Sequence, residues 1–295
     1  MIQSCIMKKE MIAVYIDGGN TYKRLKTLGI PQKSSRFDYS AFVEHLVGNR
    51  NLISKRYYVG IVKNVDGSEK SEKMVRSQQK FLNGLRNERF EIKAGRIMYD
   101  DGNIREKGVD VKLSVDLVIG AVDDIYDTAI VISSDTDLIP AIKYVRKAKM
   151  KKVEYIGFGS TPSLGLIKES STPRIFSDTD LSQFQTKTLK FRGHLAGLIL
   201  KGKKTTTWRL FDDKDLKVKD LLNLQDSETG KDFAKAEIVG VTEKKLKELK
   251  EKDYDGHEKF ESEKDMLNHY KEYYGDKVDL NTVVKIIKFN LRNKF

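Results

Sequence analysis

The amino-acid sequence predicts an α/β fold with a parallel, doubly wound sheet, followed by a smaller α+β domain built as a β-barrel with helical additions. The first part of this prediction depends on the alternation of short apolar runs with longer amphipathic stretches up to residue 165. The second part depends on a change from alternating strands and helices to several strands with few helices, which follows a stretch rich in Ser, Thr and Asp at residues 172–190. We therefore expect a lead at residues 1–10, a first domain at 11–170, a linker at 171–186 and a second domain at 187–295.

The strands of the first domain are expected where β-branched and aromatic residues form short continuous runs, which is typical of strands buried on both faces. These runs are residues 12–16, 55–62, 90–98, 128–133 and 153–158. Between them, apolar residues recur at spacings of three and four. This spacing predicts helices at residues 22–28, 37–46, 74–85, 106–122 and 138–150, with a short helix near residue 162.

The second domain contains more predicted strands than helices. Strands are expected at residues 203–211, 218–224, 233–242 and 282–291, and helices at 194–200 and 265–274. Several short strands with few helices over this length are typical of a small barrel.

The protein is strongly basic, with a formal net charge of +12 and 33% charged residues. Such a surplus predicts a polyanionic partner, either nucleic acid or an anionic membrane surface, and the alternative is a lysine-rich surface that serves solubility. The single cysteine, Cys5, excludes an internal disulfide framework. No apolar run approaches the roughly 20 residues of a membrane span, and no signal peptide is recognisable, so we expect a cytoplasmic protein without a membrane partner.

The most informative stretch is residues 129–140, with the sequence AIVISSDTDLIP. A buried strand ends there at two serines and two aspartates, and Pro140 then opens an amphipathic helix. Asp135 and Asp137 have two interpretations. Aspartates directly before a helix are common N-caps, and carboxylates at the end of a strand in an open α/β sheet lie where ligands bind.

A second predicted strand, at residues 12–16, also ends at a carboxylate, Asp17. Two glycines let the chain turn sharply after it, and Asn20 then either bonds the loop backbone or reaches a ligand. Right-handed crossovers place the loops after successive parallel strands on one edge of the sheet. We therefore expect Asp17 and Asp135 to share that edge, which favours a metal site over simple capping.

The predicted helix at residues 106–122 carries a carboxylate inside an apolar stripe, at Asp116, with Asp110 at the edge of the stripe. Apolar residues also cover much of the opposite side, so we expect this helix to be buried between layers. A carboxylate in such surroundings is costly unless it is paired or binds a metal. A salt bridge to Lys107 or Lys112 is the alternative to metal binding.

Three motifs resemble the NYN domain family, a branch of the PIN-like nucleases. They are YIDGGN at residues 15–20, EKGVDVKLSVDL at 106–117 and SSDTDLIP at 133–140. The resemblance implies a Rossmann-like fold and a divalent-metal-dependent ribonuclease. It assigns catalysis and metal binding to the four aspartates of the motifs, with three supporting residues beside them: Asp17, Asp116, Asp135 and Asp137, supported by Asn20, Asp110 and Lys107.

Such a cluster suits the hydrolysis of phosphodiesters. Carboxylates placed this close repel one another, so Mg²⁺ or Mn²⁺ would neutralise them and activate a water. The expected partner is RNA, held through its phosphates by basic residues that include Lys107, Arg76 and Lys80. Lys73, Arg76 and Lys80 form one basic face of a predicted helix, for which a solvated surface is the alternative interpretation.

The second domain resembles the ASCH domain, a relative of PUA-like RNA-binding barrels, through LAGLILKGKKTTTWRL at residues 195–210. Some small bacterial members of this superfamily hydrolyse N4-acetylcytidine with Lys, Thr and Glu. Their motif matches Lys204 and Thr207, and Glu258 is the favoured acidic residue over Asp255. A desolvated lysine with a threonine hydroxyl and a carboxylate is capable of such chemistry.

The alternative for this second site is binding without catalysis. A basic and aromatic lining that stacks a base and holds its phosphates would then be formed by Lys201, Lys203, Lys204 and Arg209 with Trp208. Three functions thus remain open: a metal-dependent ribonuclease whose second domain binds unmodified or modified RNA; an RNA-binding adaptor that does not cleave; and an amidohydrolase.

Overall fold

A computed structural model describes residues 9–29, 35–64, 67–100 and 103–295. Residues 1–8 of the predicted lead lie outside this range. The elements up to residue 182 are, in chain order, β1 (Met11–Asp17), α1 (Gly18–Thr27), β2 (Ser35–Phe37), α2 (Tyr39–Val47), β3 (Asn51–Ile61), α3 (Glu69–Asn87), β4 (Glu91–Asp100), β5 (Asn103–Lys107), α4 (Val109–Val122), β6 (Thr128–Ile132), α5 (Ile139–Lys147), β7 (Lys152–Phe158), α6 (Leu164–Glu169), β8 (Thr172–Phe176) and α7 (Asp178–Ser182).

The elements that follow are β9 (Gln185–Phe191), α8 (Gly193–Leu200), β10 (Thr206–Leu210), β11 (Leu221–Asp226), β12 (Asp232–Lys245), α9 (Glu263–Tyr274) and β13 (Val283–Lys294). The chain divides into two compact units. Of the described residues, the first comprises 9–29 and those within 38–184, and the second comprises 35–37 and 185–295.

The first unit is built on a seven-stranded sheet with the order β5-β4-β3-β1-β6-β7-β8. All neighbours pair in parallel except β4 and β5, so the predicted parallel sheet is confirmed. β1 is central, and the chain continues outward from it in both directions, through β3 on one side and through β6 on the other. The carboxyl ends of β1 and β6 are therefore a topological switch point, where open α/β sheets bind ligands.

The apolar runs at residues 12–16 and 128–133, which predicted β1 and β6, are completely buried, as continuous β-branched strands covered on both faces should be. The region predicted as a linker contains β8, which is the sixth parallel strand of this sheet, and the short helix α7. Its Ser, Thr and Asp residues cap α7 in a capping box formed by Ser177 and Asp180. They end local elements rather than mark a stretch without structure.

The predicted helix at residues 106–122 differs from the structure in two ways. Its first residues belong to β5, an antiparallel strand that ends at Lys107, and Gly108 follows it with a φ of 78°, which favours glycine. The helix is also not buried between layers. One face packs on the sheet through Leu113 and Leu117, while Val111 and Val115 on the other side are exposed.

The second unit contains a six-stranded sheet with the order β10-β13-β12-β11-β9-β2. Its pairs are antiparallel except β9 with β11. The five strands after residue 184 form a curled half-barrel, which agrees with the predicted α+β barrel-like domain. In the described part of the chain, no helix is both long and apolar enough to cross a membrane.

Candidate functional site

The end of β1 is fixed by Asp17 and Gly18. Asp17 is the N-cap of α1, where its Oδ1 accepts a hydrogen bond from the backbone N–H of Asn20 at 3.0 Å. The chain turns tightly here against β3. A Cβ on Gly18 would lie 2.4 Å from the ring of Tyr57 and 2.7 Å from the carbonyl oxygen of Tyr58, so only glycine fits.

The end of β6 is joined to this turn by a short hydrogen-bond network. The Ser133 hydroxyl donates to Asp17 Oδ2 at 2.8 Å, and Asn20 Oδ1 accepts from both the N–H and the hydroxyl of Ser134, at 3.0 and 2.9 Å. Arg24 Nε donates to the Ser134 hydroxyl at 3.1 Å. Asp17 and Asn20 therefore hold the acidic loop in place, and both oxygens of Asp17 are engaged in this network.

Three carboxylates come together beside this network. Asp110, Asp135 and Asp137 each offer one oxygen, and these oxygens lie within 4.8 Å of one another. Asp135 also caps the following helical turn, since its Oδ1 accepts from the N–H of Asp137 at 3.0 Å. The two sequence interpretations of Asp135, cap and ligand, are thus compatible in one side chain.

Asp17 lies close enough to this acidic group to be affected by its charge. Burial raises the pKa of Asp17, and the carboxylates of Asp135 and Asp110 raise it further. The hydrogen bonds from the N–H of Asn20 and the hydroxyl of Ser133 act in the opposite direction without cancelling the increase. Negative charge is therefore crowded at the carboxyl ends of β1 and β6, which is the condition that a cation would relieve.

The structure does not bring Asp116 into the acidic group. Its Oδ2 accepts a hydrogen bond from the Tyr58 hydroxyl at 2.8 Å, and Lys93 Nζ lies 3.9 Å from the same oxygen. This carboxylate is thus paired as its apolar surroundings require, but with residues of β3 and β4 rather than with Lys107 or Lys112. Asp110, six residues earlier on the same helix, takes the place beside Asp135.

The basic residues proposed to bind RNA in the first unit are exposed. Arg76 and Lys80 lie on the outer face of α3, where Arg76 pairs with Glu72 one turn away at 3.4 Å. Lys107 is the last residue of β5, three residues before Asp110. Exposure is compatible both with phosphate contacts and with the solvated surface that was the alternative.

The second unit buries a lysine next to a carboxylate. Lys204 is 3% exposed, and its Nζ is hydrogen-bonded to Glu258 Oε2. Burial lowers the pKa of Lys204 although Glu258 opposes the decrease. Burial by itself would raise the pKa of the Glu258 carboxyl. The charges of His257 and Lys204 lower this pKa overall, and we regard the buried ammonium of Lys204 as the main cause. Asp255, the other candidate, instead offers its backbone carbonyl to the Thr206 hydroxyl at 2.7 Å.

His257 is a member of this second site that sequence reasoning missed. Its ring lies 4.3 Å from the ring of Trp208 and nearly parallel to it, and Nδ1 is 2.8 Å from the backbone oxygen of Glu258. Burial, followed by the charge of Lys204, lowers the pKa of His257 to about 4, so the ring is neutral at pH 7. The only sequence signal was its position next to Glu258.

Trp208 is 3% exposed, which corrects the prediction that it lines an RNA-binding surface. Its ring packs in the core of the second unit, stacked on His257 and also parallel to Tyr270 at 6.4 Å. A base therefore has no access to its faces in this arrangement. Thr207 is likewise buried, Lys203 is exposed, and the Arg209 guanidinium lies 5.0 Å from the ring of Phe191.

Comparisons with known proteins address the first unit most directly. The NYN domain family model matches residues 11–178 of the chain. No curated protein matches it. Among solved structures, a protein of unknown function from Vibrio parahaemolyticus is similar, with 24% identity, a TM-score of 0.44, and coverage of 59% of this chain and 96% of that chain.

Solved ASCH domains are similar over the C-terminal portion. One from Lactobacillus crispatus has 18% identity and a TM-score of 0.28, with coverage of 32% of this chain and 69% of that one. Another, from Zymomonas mobilis, has 14% identity and a TM-score of 0.28, with coverage of 36% of this chain and 66% of that one.

Proposed function

The chain belongs to the NYN domain family of PIN-like nucleases, and from this membership we propose that it is a divalent-metal-dependent ribonuclease. The observation that supports the proposal is the group of three carboxylate oxygens, from Asp110, Asp135 and Asp137, within 4.8 Å of one another. The group lies at the switch point of the parallel sheet. A protein that only binds RNA would gain nothing from crowded negative charge beside phosphates.

The donor set suits a hard divalent cation. Three carboxylate oxygens without a nearby thiolate or imidazole in the group favour Mg²⁺ or Mn²⁺ over zinc. When bound, such an ion lowers the pKa of a coordinated water and stabilises the charge that develops on a phosphate. Asp135 and Asp137 on the loop after β6, together with Asp110 on α4, would hold it.

The neighbouring residues position that group. Asp17 receives its hydrogen bonds from Asn20 and Ser133, so we assign it the role of orienting the loop and of adding negative charge to the site. Asp116, held by Tyr58, would hold α4 in place from a point outside the metal group. Lys107 and the basic face of α3 would contact phosphates of the RNA.

The test is cleavage of a mixed RNA pool by the full chain with Mn²⁺, Mg²⁺ or EDTA, compared with Asp135→Asn and Asp110→Asn. We expect cleavage that requires metal and is lost in both variants by about two orders of magnitude or more. Asp178→Asn, which changes an exposed aspartate on α7, is the matched control and should cleave as the wild type does. Cleavage that persists in EDTA or in Asp135→Asn would contradict the proposal.

The adaptor hypothesis makes the opposite prediction for the same variants. If the wild type binds RNA without cutting it in either metal, and Asp135→Asn binds RNA equally or more tightly, the protein is a binder that retains the nuclease fold. A salt titration of binding applies to both hypotheses. Phosphate contacts release counterions, so the affinity for RNA should fall steeply as salt rises.

A second candidate function is amidohydrolysis in the second unit, and the buried Lys204–Glu258 pair favours it. Burial lowers the pKa of this lysine and so brings its amine closer to the neutral form that can accept a proton. Glu258 is hydrogen-bonded to that amine and is placed to transfer a proton. Lys203 and Arg209 would bind unmodified or modified RNA around this site.

The second function is tested with N4-acetylcytidine as the substrate and release of acetate as the readout. Lys204→Met and Glu258→Gln should both abolish the release, whereas Lys264→Met, which alters an exposed lysine on α9, should not. If the wild type releases no acetate, the second unit is left with a role in binding only.

A further inference from the structure

The exposed side of α4 carries a continuous apolar seam. Val111 is 62% exposed, and Val115, Ile119 and Val122 are each 48% exposed, while the other side of the same helix is buried in the core. A surface helix in a monomer normally presents polar residues to water, and a contiguous exposed apolar patch marks an interaction surface. Because its inner face already packs on the sheet, this seam has no role in folding the first unit.

The spacing of the seam indicates the shape of its partner. Val111, Val115, Ile119 and Val122 follow one another at intervals of four, four and three residues. Side chains spaced three and four residues apart form a ridge on a helix, and such a ridge packs into the groove of a second helix. The seam is therefore suited to another helix lying along α4 rather than to a flat sheet or an extended strand.

The charges beside the seam indicate which helix packs along it. Lys112 and Asp123 are both exposed and, at 100° per residue, lie within about 20° of each other on the same flank of α4. Neither takes part in an ion pair among the described residues. Lys112 Nζ reaches the carbonyl oxygen of Ala94 at 3.4 Å. One end of the flank is thus positive and the other negative.

These features fit a second copy of the same helix. We propose that α4 pairs with α4 of a second copy of this chain, antiparallel about a two-fold axis that passes near residues 116–118. In that arrangement Val111 packs against the second copy's Val122, and Lys112 faces the second copy's Asp123 on both sides of the axis. A two-fold interface requires such self-complementarity, and α4 has it in both its apolar and its charged positions.

The area of the seam sets the strength of the pairing. Four half-exposed β-branched side chains offer on the order of 300 Å² of apolar surface per copy, against about 800 Å² per partner in a stable complex of standard size. The net charge of +12 on each copy also opposes association, although at physiological salt its effect is screened beyond about 8 Å. The pairing is therefore a reversible dimer that depends on concentration. It does not depend on the proposed nuclease activity.

The first experiment is sedimentation velocity of the full chain between about 1 and about 100 µM, a range that brackets a weak association. We expect the sedimentation coefficient to rise from the monomer value toward the dimer value, and Val115→Glu to abolish the rise. Leu164→Glu, which introduces the same charge at an isolated exposed leucine on α6, should leave the rise unchanged. A monomer at every concentration, or a dimer that tolerates Val115→Glu, would overturn the proposal.

Two further sets of variants test the antiparallel geometry. Lys112→Asp and Asp123→Lys should each weaken the dimer, and the double variant should restore it. In a Cys5→Ser background, Val111→Cys combined with Val122→Cys should form a disulfide between copies. Val111→Cys alone should not, because the two copies of residue 111 lie about 17 Å apart along the helices, too far for a disulfide. Efficient cross-linking of the Val111→Cys single variant would show a parallel pair and contradict the antiparallel arrangement.

Discussion

The Ser133 hydroxyl donates a hydrogen bond to Asp17 Oδ2 at 2.8 Å and so joins the carboxyl ends of the neighbouring strands β1 and β6. The two residues are 116 positions apart in the chain. The bond stabilises the ionised form of a carboxylate whose burial and acidic neighbours raise its pKa. The geometry of the acidic group beside it depends on this contact, because the N–H of Asp135 donates to the same hydroxyl at 3.1 Å.

Removing this hydroxyl should destabilise the first unit in a pH-dependent way. Ser133→Ala takes away a bond that lowers the pKa of Asp17, so the pKa of the carboxyl should rise further. The loss is greatest when Asp17 is ionised. We expect a loss of about 1–3 kcal/mol at neutral pH, which shrinks as the pH falls and Asp17 takes up a proton.

The measurement for this variant is thermal unfolding between pH 4 and pH 8. Ser134→Ala is the matched control, since its hydroxyl bonds the neutral amide of Asn20 instead of a carboxylate. Its effect on stability should not change with pH. An equal pH dependence in both variants would show that Asp17 does not titrate as proposed.

Binding of a divalent cation should raise the melting temperature of the first unit. A ligand at 100 times its dissociation constant stabilises the folded state by about 2.7 kcal/mol. Mn²⁺ should produce an increase in the wild type that EDTA reverses. Asp135→Asn and Asp110→Asn should lose the increase, whereas Asp116→Asn should retain it because that carboxylate is bonded to Tyr58 outside the group. Loss of the increase in Asp116→Asn would place this residue among the ligands.

Two glycines should respond oppositely to the same change. Gly18→Ala places a methyl group 2.4 Å from the Tyr57 ring and 2.7 Å from a backbone oxygen of β3, which should cost about 1–3 kcal/mol and displace Asp17. Gly84→Ala lies within α3 with nothing within 4 Å of the added carbon, so it should stabilise the protein by up to about 1 kcal/mol. Chemical denaturation measures both. A neutral Gly18→Ala would contradict the tight turn after β1.

The buried pair in the second unit should show strong coupling in a double-mutant cycle. Glu258→Gln leaves the Lys204 ammonium 3% exposed without its carboxylate, and we expect a loss of about 3–5 kcal/mol. Lys204→Met with Glu258→Gln removes both charges and should recover most of that loss. Additive effects in denaturation experiments would show that the two side chains do not form the pair seen here.

The sequence alone determined the main architecture of the first unit. Continuous β-branched runs could only be strands covered on both faces, and their alternation with amphipathic segments required a parallel sheet with helical crossovers. That topology was sufficient to place Asp17 and Asp135 on one edge, because parallel strands end on the same side. The acidic motifs and their resemblance to the NYN domain family could also be recognised from the sequence, because the residues of each motif are contiguous in the chain.

Only the tertiary structure decided which side chains meet. Asp110 and Asp116 lie on one helix, and the orientation of α4 on the sheet turned the first toward Asp135 and the second toward Tyr58. Trp208 became a core residue because the segment around His257 folds over it. Helical periodicity reveals that a face is apolar, but what covers that face depends on elements far away in sequence. For this reason the sequence could not predict that the apolar seam of α4 is exposed.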